Sequence, residues 1–176
     1  MSITPEAAIK KFKSFVKTPR VKLPWLRGRQ YLYDCAAAYS WIVGLHPSIN
    51  TCHELKALCV KNKTWTTNLA DVKPGHAVIF DWENGAGLGH NTNTDHVGMV
   101  ISVNKDKTVT YVSADSTRPT PGLVTVNTIA TKWITGFGVP VKFGVVGEPV
   151  VHPVSSEFHN APATPPAFGV GGQPLN

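Results

Sequence analysis

Of the residues in this chain that can act as nucleophiles, bases or metal ligands, three cysteines and seven histidines carry the most chemistry. Cys35 stands out by position. It falls in the first turn of the segment Asp34-Cys35-Ala36-Ala37-Ala38-Tyr39-Ser40-Trp41-Ile42, whose alanines favour helix and which Gly44 would end. A thiol there lies beside unpaired backbone N–H groups and the positive end of the helix dipole, and both favour the thiolate. A thiol nucleophile also needs an imidazole delivered from elsewhere in the fold. His46 and His53 flank predicted helices, His90 lies in a Gly/Asn-rich loop, and His152 and His159 fall near the C-terminus. His76 follows the turn Pro74-Gly75. His96 is different: it opens the apolar run Val97-Gly98-Met99-Val100, and a polar side chain at the mouth of a buried strand faces a cleft.

A third group should hold the imidazole. The following strand ends Val112-Ser113-Ala114-Asp115, and a hairpin of 96–103 with 108–115 brings that end beside His96. Strand alternation puts Ser113 and Asp115 on one face. Asp115 is the stronger choice, because a carboxylate both orients the ring and stabilises imidazolium; Ser113 is the weaker, neutral one. The other cysteines, Cys52 and Cys59, sit two turns apart on one predicted helix, too far to bridge. With His53 they match no zinc spacing, and they read as buried, inert thiols. An odd cysteine count without a repeating pattern excludes a disulfide scaffold.

The elements that must position these groups follow from capping and periodicity. Thr4-Pro5-Glu6 starts a helix that carries Ile9, Phe12 and Val16 inward and that Thr18-Pro19 stops. Thr51-x-x-Glu54 is a capping box for a third helix with Leu55, Leu58 and Cys59 inward. After Asp71 the period changes to two, and 76–82, 96–103, 108–114, 123–127 and 133–141 read as strands, with Asn104–Lys107 as a hairpin turn. Helices first and strands after predict an α+β domain with an antiparallel sheet.

The net charge of +6 is not evenly spread: residues 1–30 sum to +7 and the remainder to −1. Such a basic N-terminal face suits a polyanion such as an acidic cell-wall polymer, anionic lipid or nucleic acid, although no RNA-binding or zinc-finger signature supports the last. No run of 18 apolar residues exists, so no membrane insertion is expected. Lys17, Pro19, Arg20 and Lys22 break any signal-peptide core. From Glu148 onward, six of the 14 prolines and only two charges mark a linker or tail. The predicted organisation is a basic helix and lead-in at 1–24, a catalytic domain at 25–147 and a tail at 148–176.

Three blocks in order, Asp34-Cys35-Ala36-Ala37-Ala38-Tyr39-Ser40-Trp41, Val72-Lys73-Pro74-Gly75-His76 through Trp82, and Asp95-His96-Val97-Gly98-Met99-Val100, resemble the CHAP family of cysteine- and histidine-dependent amidohydrolases/peptidases. These are catalytic modules of phage endolysins, and the NlpC/P60 peptidases are a close neighbour. The resemblance spans roughly 25–142, with 61 residues from Cys35 to His96. It implies a papain-like fold with Cys35 as nucleophile and His96 as general base and acid. Where the family has Glu-Gly-Asn, this chain has Ser113-Ala114-Asp115, so Asp115 would replace the Asn and Ser113 the Glu; His76 stands where Asp usually follows Pro-Gly.

The implied reaction is thiol-mediated hydrolysis of a peptidoglycan bond, as an N-acetylmuramoyl-L-alanine amidase or a bridge endopeptidase, by a monomer without cofactor or metal. The Cys35 N–H, with Tyr33 or Asp34 upstream, would hold the oxyanion, though helix capping is the commoner role for Asp34. A lysin without a signal peptide would accumulate in the host cytoplasm and reach the wall through a holin; a virion-associated lysin shares that absence. A wall-binding module would follow the linker. The rival readings are a catalytically silent wall-binding module and a basic nucleic-acid binder. Residues 83–95 are rich in oxygen donors but lack the regular spacing of a calcium loop.

Overall fold

The computed structural model describes residues 3–26, 34–114 and 123–144. Three helices precede a five-stranded antiparallel sheet, an α+β arrangement as the order of periodicities predicts.

Helix α1 (Pro5–Lys13) begins at Thr4, whose hydroxyl accepts the Ala7 N–H at 3.2 Å. It buries Ala8 and Phe12 and leaves Lys10 and Lys13 in solvent. The helix stops at Ser14, ahead of the expected break at Thr18-Pro19. The reason is tertiary: Val16 leaves the helix to bridge Val124 on the sheet, and Lys17 takes φ 66° to make that departure. Helix α2 (Asp34–Val43) ends at Gly44, whose φ of 75° is open to glycine and strained for other residues. Its alanines let it lie close on the sheet: Ala36, Ala38, Tyr39 and Ile42 are fully buried, and the Tyr39 hydroxyl donates to the Gly75 carbonyl at 2.9 Å. Helix α3 (Cys52–Lys61) carries the expected capping box, with Glu54 N–H on the Thr51 hydroxyl and the Glu54 carboxylate on the Thr51 N–H.

The strands are β1 (Ala77–Phe80), β2 (His96–Val103), β3 (Val109–Ala114), β4 (Val124–Ile129) and β5 (Ile134–Gly138), in spatial order β4-β3-β2-β1-β5. The β2–β3 turn falls at Asn104–Lys107, where Asn104 N–H donates to the Thr108 carbonyl at 2.8 Å. Strand β5 ends at Gly138, short of the expected Val141, because Thr64 takes over the next residue: its hydroxyl donates to the Val139 carbonyl and accepts the Val139 N–H. Alternation divides the sheet. Ala77, Ile79, Val97, Met99 and Val112 pack with the helices, while Val78, Phe80, Val100, Tyr111, Ile134 and Phe137 form a second layer under Leu69, Trp82 and Leu88. Burial of these apolar side chains supplies the main stabilisation, on the order of 1.5–3 kcal/mol for each large one. Among the described residues no helix is long and apolar enough to cross a membrane.

Candidate active site

Because α2 starts at Asp34, Cys35 occupies its first turn, as the alanine run predicts. His96 is the first residue of β2, the central strand, and is paired with Phe80 of β1. Cys35 and His96 are each about 5% exposed, so both are nearly enclosed yet reach the surface.

The structure brings these two residues together and adds a third. Cys35 lies 3.8 Å from Cys52, sulfur to sulfur. The Cys35 thiol is held well below its ordinary range, first by the hydrogen bond from Cys52, against the opposing effect of burial, and further by the charge and hydrogen bond of His96 and the Val97 N–H. Cys52 moves the other way: the bond to Cys35, burial and the Cys35 charge push its thiol well above the usual range. The two opposite directions favour a proton on the Cys52 side of the pair. The structure buries Cys52, as the sequence reading has it, and adds that it lies against the Cys35 sulfur. A signal existed in the sequence, since the Thr51 cap places Cys52 in the first turn of its helix, as Cys35 is in its own.

His96 is oriented by Ser113, whose hydroxyl lies 3.1 Å from Nε2 and which is fully buried. That contact leaves Nδ1 for the thiol. The antiparallel register, Met99 opposite Val112, places the start of β2 against the end of β3, as the hairpin reading requires. Gly98 makes room there: a Cβ on it would meet the Tyr111 ring at 2.5 Å. The imidazole also lies beside Phe80 and Trp82, with ring centroids 5.5 and 5.9 Å away. Asp115, the preferred orienting residue, lies outside the described residues, as do Tyr33 and the Asp34 side chain. Of the remaining histidines, His46, His53 and His90 are exposed, in line with surface roles. His76 is half-buried, and burial together with Lys73 lowers its pKa.

The 83–95 loop is anchored by a residue that motif reading passed over. Asp81 is buried, and its carboxylate accepts the backbone N–H groups of Glu83, Asn84, Thr92 and Asn93 at 3.0–3.3 Å. Burial alone would raise the Asp81 carboxyl, but these four donors outweigh it and hold the pKa below its ordinary value. Asn91 closes the loop from the other side, accepting from Ala86 and donating to the carbonyls of Lys132 and Ile134. Asp95 accepts the Trp82 N–H at 2.7 Å and leads directly into His96. Much of the oxygen capacity of this loop is spent on backbone amides. Among the described residues no three His, Cys, Asp or Glu side chains are grouped to hold a metal.

Between α3 and this loop runs a groove of about 710 Å³, lined by His53, Lys56 and Lys61 on the helix side and by Glu83, Asn93 and Asp95 on the loop side. It adjoins this group of residues through the chain, since His53 follows Cys52 and Asp95 precedes His96. A thiol in the first turn of a helix, an imidazole held by a buried hydroxyl and a flanking groove form an arrangement of the kind that acyl transfer through a thioester requires. No protein-family model, no curated protein and no solved structure matches this chain.

Proposed function

We propose that the chain is a papain-like cysteine hydrolase of the CHAP type that cleaves an amide or peptide bond of bacterial peptidoglycan. The observation that carries this reading is the placement of Cys35 in the first turn of α2, close enough to His96 to feel its charge, with His96 Nε2 held by Ser113 at 3.1 Å. The order of the blocks Asp34-Cys35, Val72 through Trp82 and His96-Val97-Gly98 supports the particular family.

In this mechanism the Cys35 thiolate attacks the carbonyl carbon of the scissile bond. The Cys35 backbone N–H, in the first turn of α2, receives the developing oxyanion. His96 gives the proton on Nδ1 to the leaving amine, and a thioester remains on Cys35. His96 then takes a proton from water, the hydroxyl adds to the thioester carbonyl, the carboxylic acid product leaves, and the Cys35 thiolate and the His96 Nδ1 proton are restored. Ser113 keeps the ring turned so that Nδ1 faces sulfur throughout. The groove beside the site offers cations on one wall and carboxylates on the other, which suits a peptide bearing both charges.

The exposed lysines of α1 would attract anionic wall polymers, and lysis should weaken with added salt. The setting that fits is a phage lysin acting as a monomer, released from the host cytoplasm through a holin or carried on the virion, with the Pro-rich 148–176 segment as a linker to a wall-binding module.

Purified walls incubated with the protein, with Cys35→Ala as the blank, test the reading by mass spectrometry of released fragments. Peptides freed from glycan identify an amidase, and opened cross-bridges an endopeptidase. Wall binding without fragments from the parent protein would make it a silent binding module and end the enzymatic reading.

A further inference from the structure

The mechanism above uses one thiol, yet a second is held against it. Cys52 belongs to a different helix from Cys35, and the sulfurs lie 3.8 Å apart. Both cysteines occupy the first turns of their helices. A disulfide needs the sulfurs to close from 3.8 Å to about 2.05 Å, so closure asks for side-chain rotation and a shift of the α3 start. Cys35 is about 5% exposed and Cys52 about 7%. With the Cys52 sulfur already in contact, an oxidised Cys35 has a partner within the chain at a far higher effective concentration than a thiol in solution. Cys59 is fully buried at the far end of α3 and cannot compete.

We propose that Cys35 and Cys52 form a peroxide-responsive pair, in which hydrogen peroxide oxidises Cys35 and Cys52 closes a disulfide that reversibly switches the site off. The proposal rests on the reading of Cys35 as the nucleophile. In the first step the Cys35 thiolate attacks one oxygen of hydrogen peroxide; the O–O bond breaks, Cys35 becomes a sulfenic acid, and the departing hydroxide takes a proton to leave as water. In the second step the Cys52 sulfur attacks the Cys35 sulfur. Its proton passes to the departing hydroxyl, which leaves as a second water, and the S–S bond forms. The thiols lose two electrons and two protons in all, and one peroxide becomes two waters. Cys52 protects as it inhibits, because the disulfide spares Cys35 from irreversible oxidation to the sulfinic acid.

The full-length protein, fully reduced and then treated with a small excess of hydrogen peroxide, is alkylated, digested and mapped by mass spectrometry beside its wall-lysis rate. The expected result is a Cys35–Cys52 linked peptide, a loss of lysis of at least about tenfold, and recovery with dithiothreitol. In Cys52→Ser, Cys35 should gain oxygen atoms instead and dithiothreitol should not restore lysis. The parent map decides the matter even if that variant folds poorly. Cys35 recovered as sulfinic acid beside a reduced Cys52, or both thiols still free after treatment, would overturn the proposal. A protein that forms the linked peptide but never lyses walls would overturn the hydrolase reading and leave the thiol pair standing.

Discussion

Helix α3 has a buried cysteine near each end, and the two ends put the same side chain to different use. At the N-terminal end Cys52 meets Cys35, His96 is close by, and the outcome is one thiol pushed down and one pushed up. At the C-terminal end Cys59 packs against Gly138 and near Thr64, and burial pushes its thiol up to about 12 with only the Thr64 hydroxyl opposing. Burial is common to all three cysteines and raises every thiol it acts on. What separates a reactive sulfur from a packing element is the set of donors aimed at it. Cys35 has three such donors, the Cys52 thiol, the His96 ring and the Val97 N–H, whereas Cys59 has one weak one.

The largest expected effect is on reactivity. Near neutral pH, iodoacetamide should modify Cys35 faster than Cys59 by roughly a thousandfold or more, since only thiolate reacts. Mass spectrometry of the time course reads this directly, and comparable labelling of the two would erase the contrast. Next is the orienting group. Ser113→Ala should lower the lysis rate by about 10- to 100-fold, with a changed pH profile and little change in melting temperature. Asp115→Ala, measured in parallel, sharpens the assignment: a larger loss there would give the role to the carboxylate preferred on sequence grounds.

Substitutions at the other end of α3 should act on stability instead. A Cβ at Gly138 would meet Cys59 Cβ at 2.5 Å and its sulfur at 2.7 Å. Gly138→Ala should therefore cost about 1–3 kcal/mol by overpacking, read as a lower urea midpoint, while the folded fraction keeps its lysis rate. A loss of activity at unchanged stability would mean that the two ends of the helix are coupled.

The smallest effect concerns the loop that faces α3 across the groove. The folded pKa of Asp81 is depressed, so its stabilising contribution is complete above the ordinary aspartate pKa and fades as pH falls through the lowered value. Asp81→Asn turns an amide N–H₂ toward backbone N–H donors and should lower the melting temperature by a few degrees at neutral pH. The gap to the parent should narrow in acid, and a gap independent of pH would assign the loop's order to other contacts.

Much of this frame was legible in local sequence because its signals are local. Thr51 and Glu54 cap α3, Gly44 ends α2, and the strands announce themselves by alternation after Asp71. His96 was legible too, as a polar residue at the head of an apolar strand. The pairing of Cys35 with Cys52 was not, because it depends on how two helices lie against each other, which neither period nor capping encodes. Ser113 ranked below Asp115 on chemistry alone, whereas its contact with His96 depends on register and on the space left by Gly98. Asp81 escaped because its partners are backbone amides, which every residue has. The early end of α1 follows from the pull of Val124 on Val16, a contact that local propensity does not register.

The strand order also imposes a timetable on the chain. Strands β2, β3 and β4 are neighbours in sequence as well as in space, and pairs of that kind form soon after they are made. Strand β5 has to travel past that meander to reach β1, and until it does, β1 presents one open edge of Ala77-Val78-Ile79-Phe80. Four apolar residues on an unpaired edge invite pairing with another nascent chain. On a ribosome, β2 could shield one side of β1 early, but the other stays bare until residues 134–138 emerge. A chain cut short before Ile134 would carry Cys35, His96 and Ser113 and yet expose the strand on which their frame is built, so the last described strand guards solubility rather than chemistry.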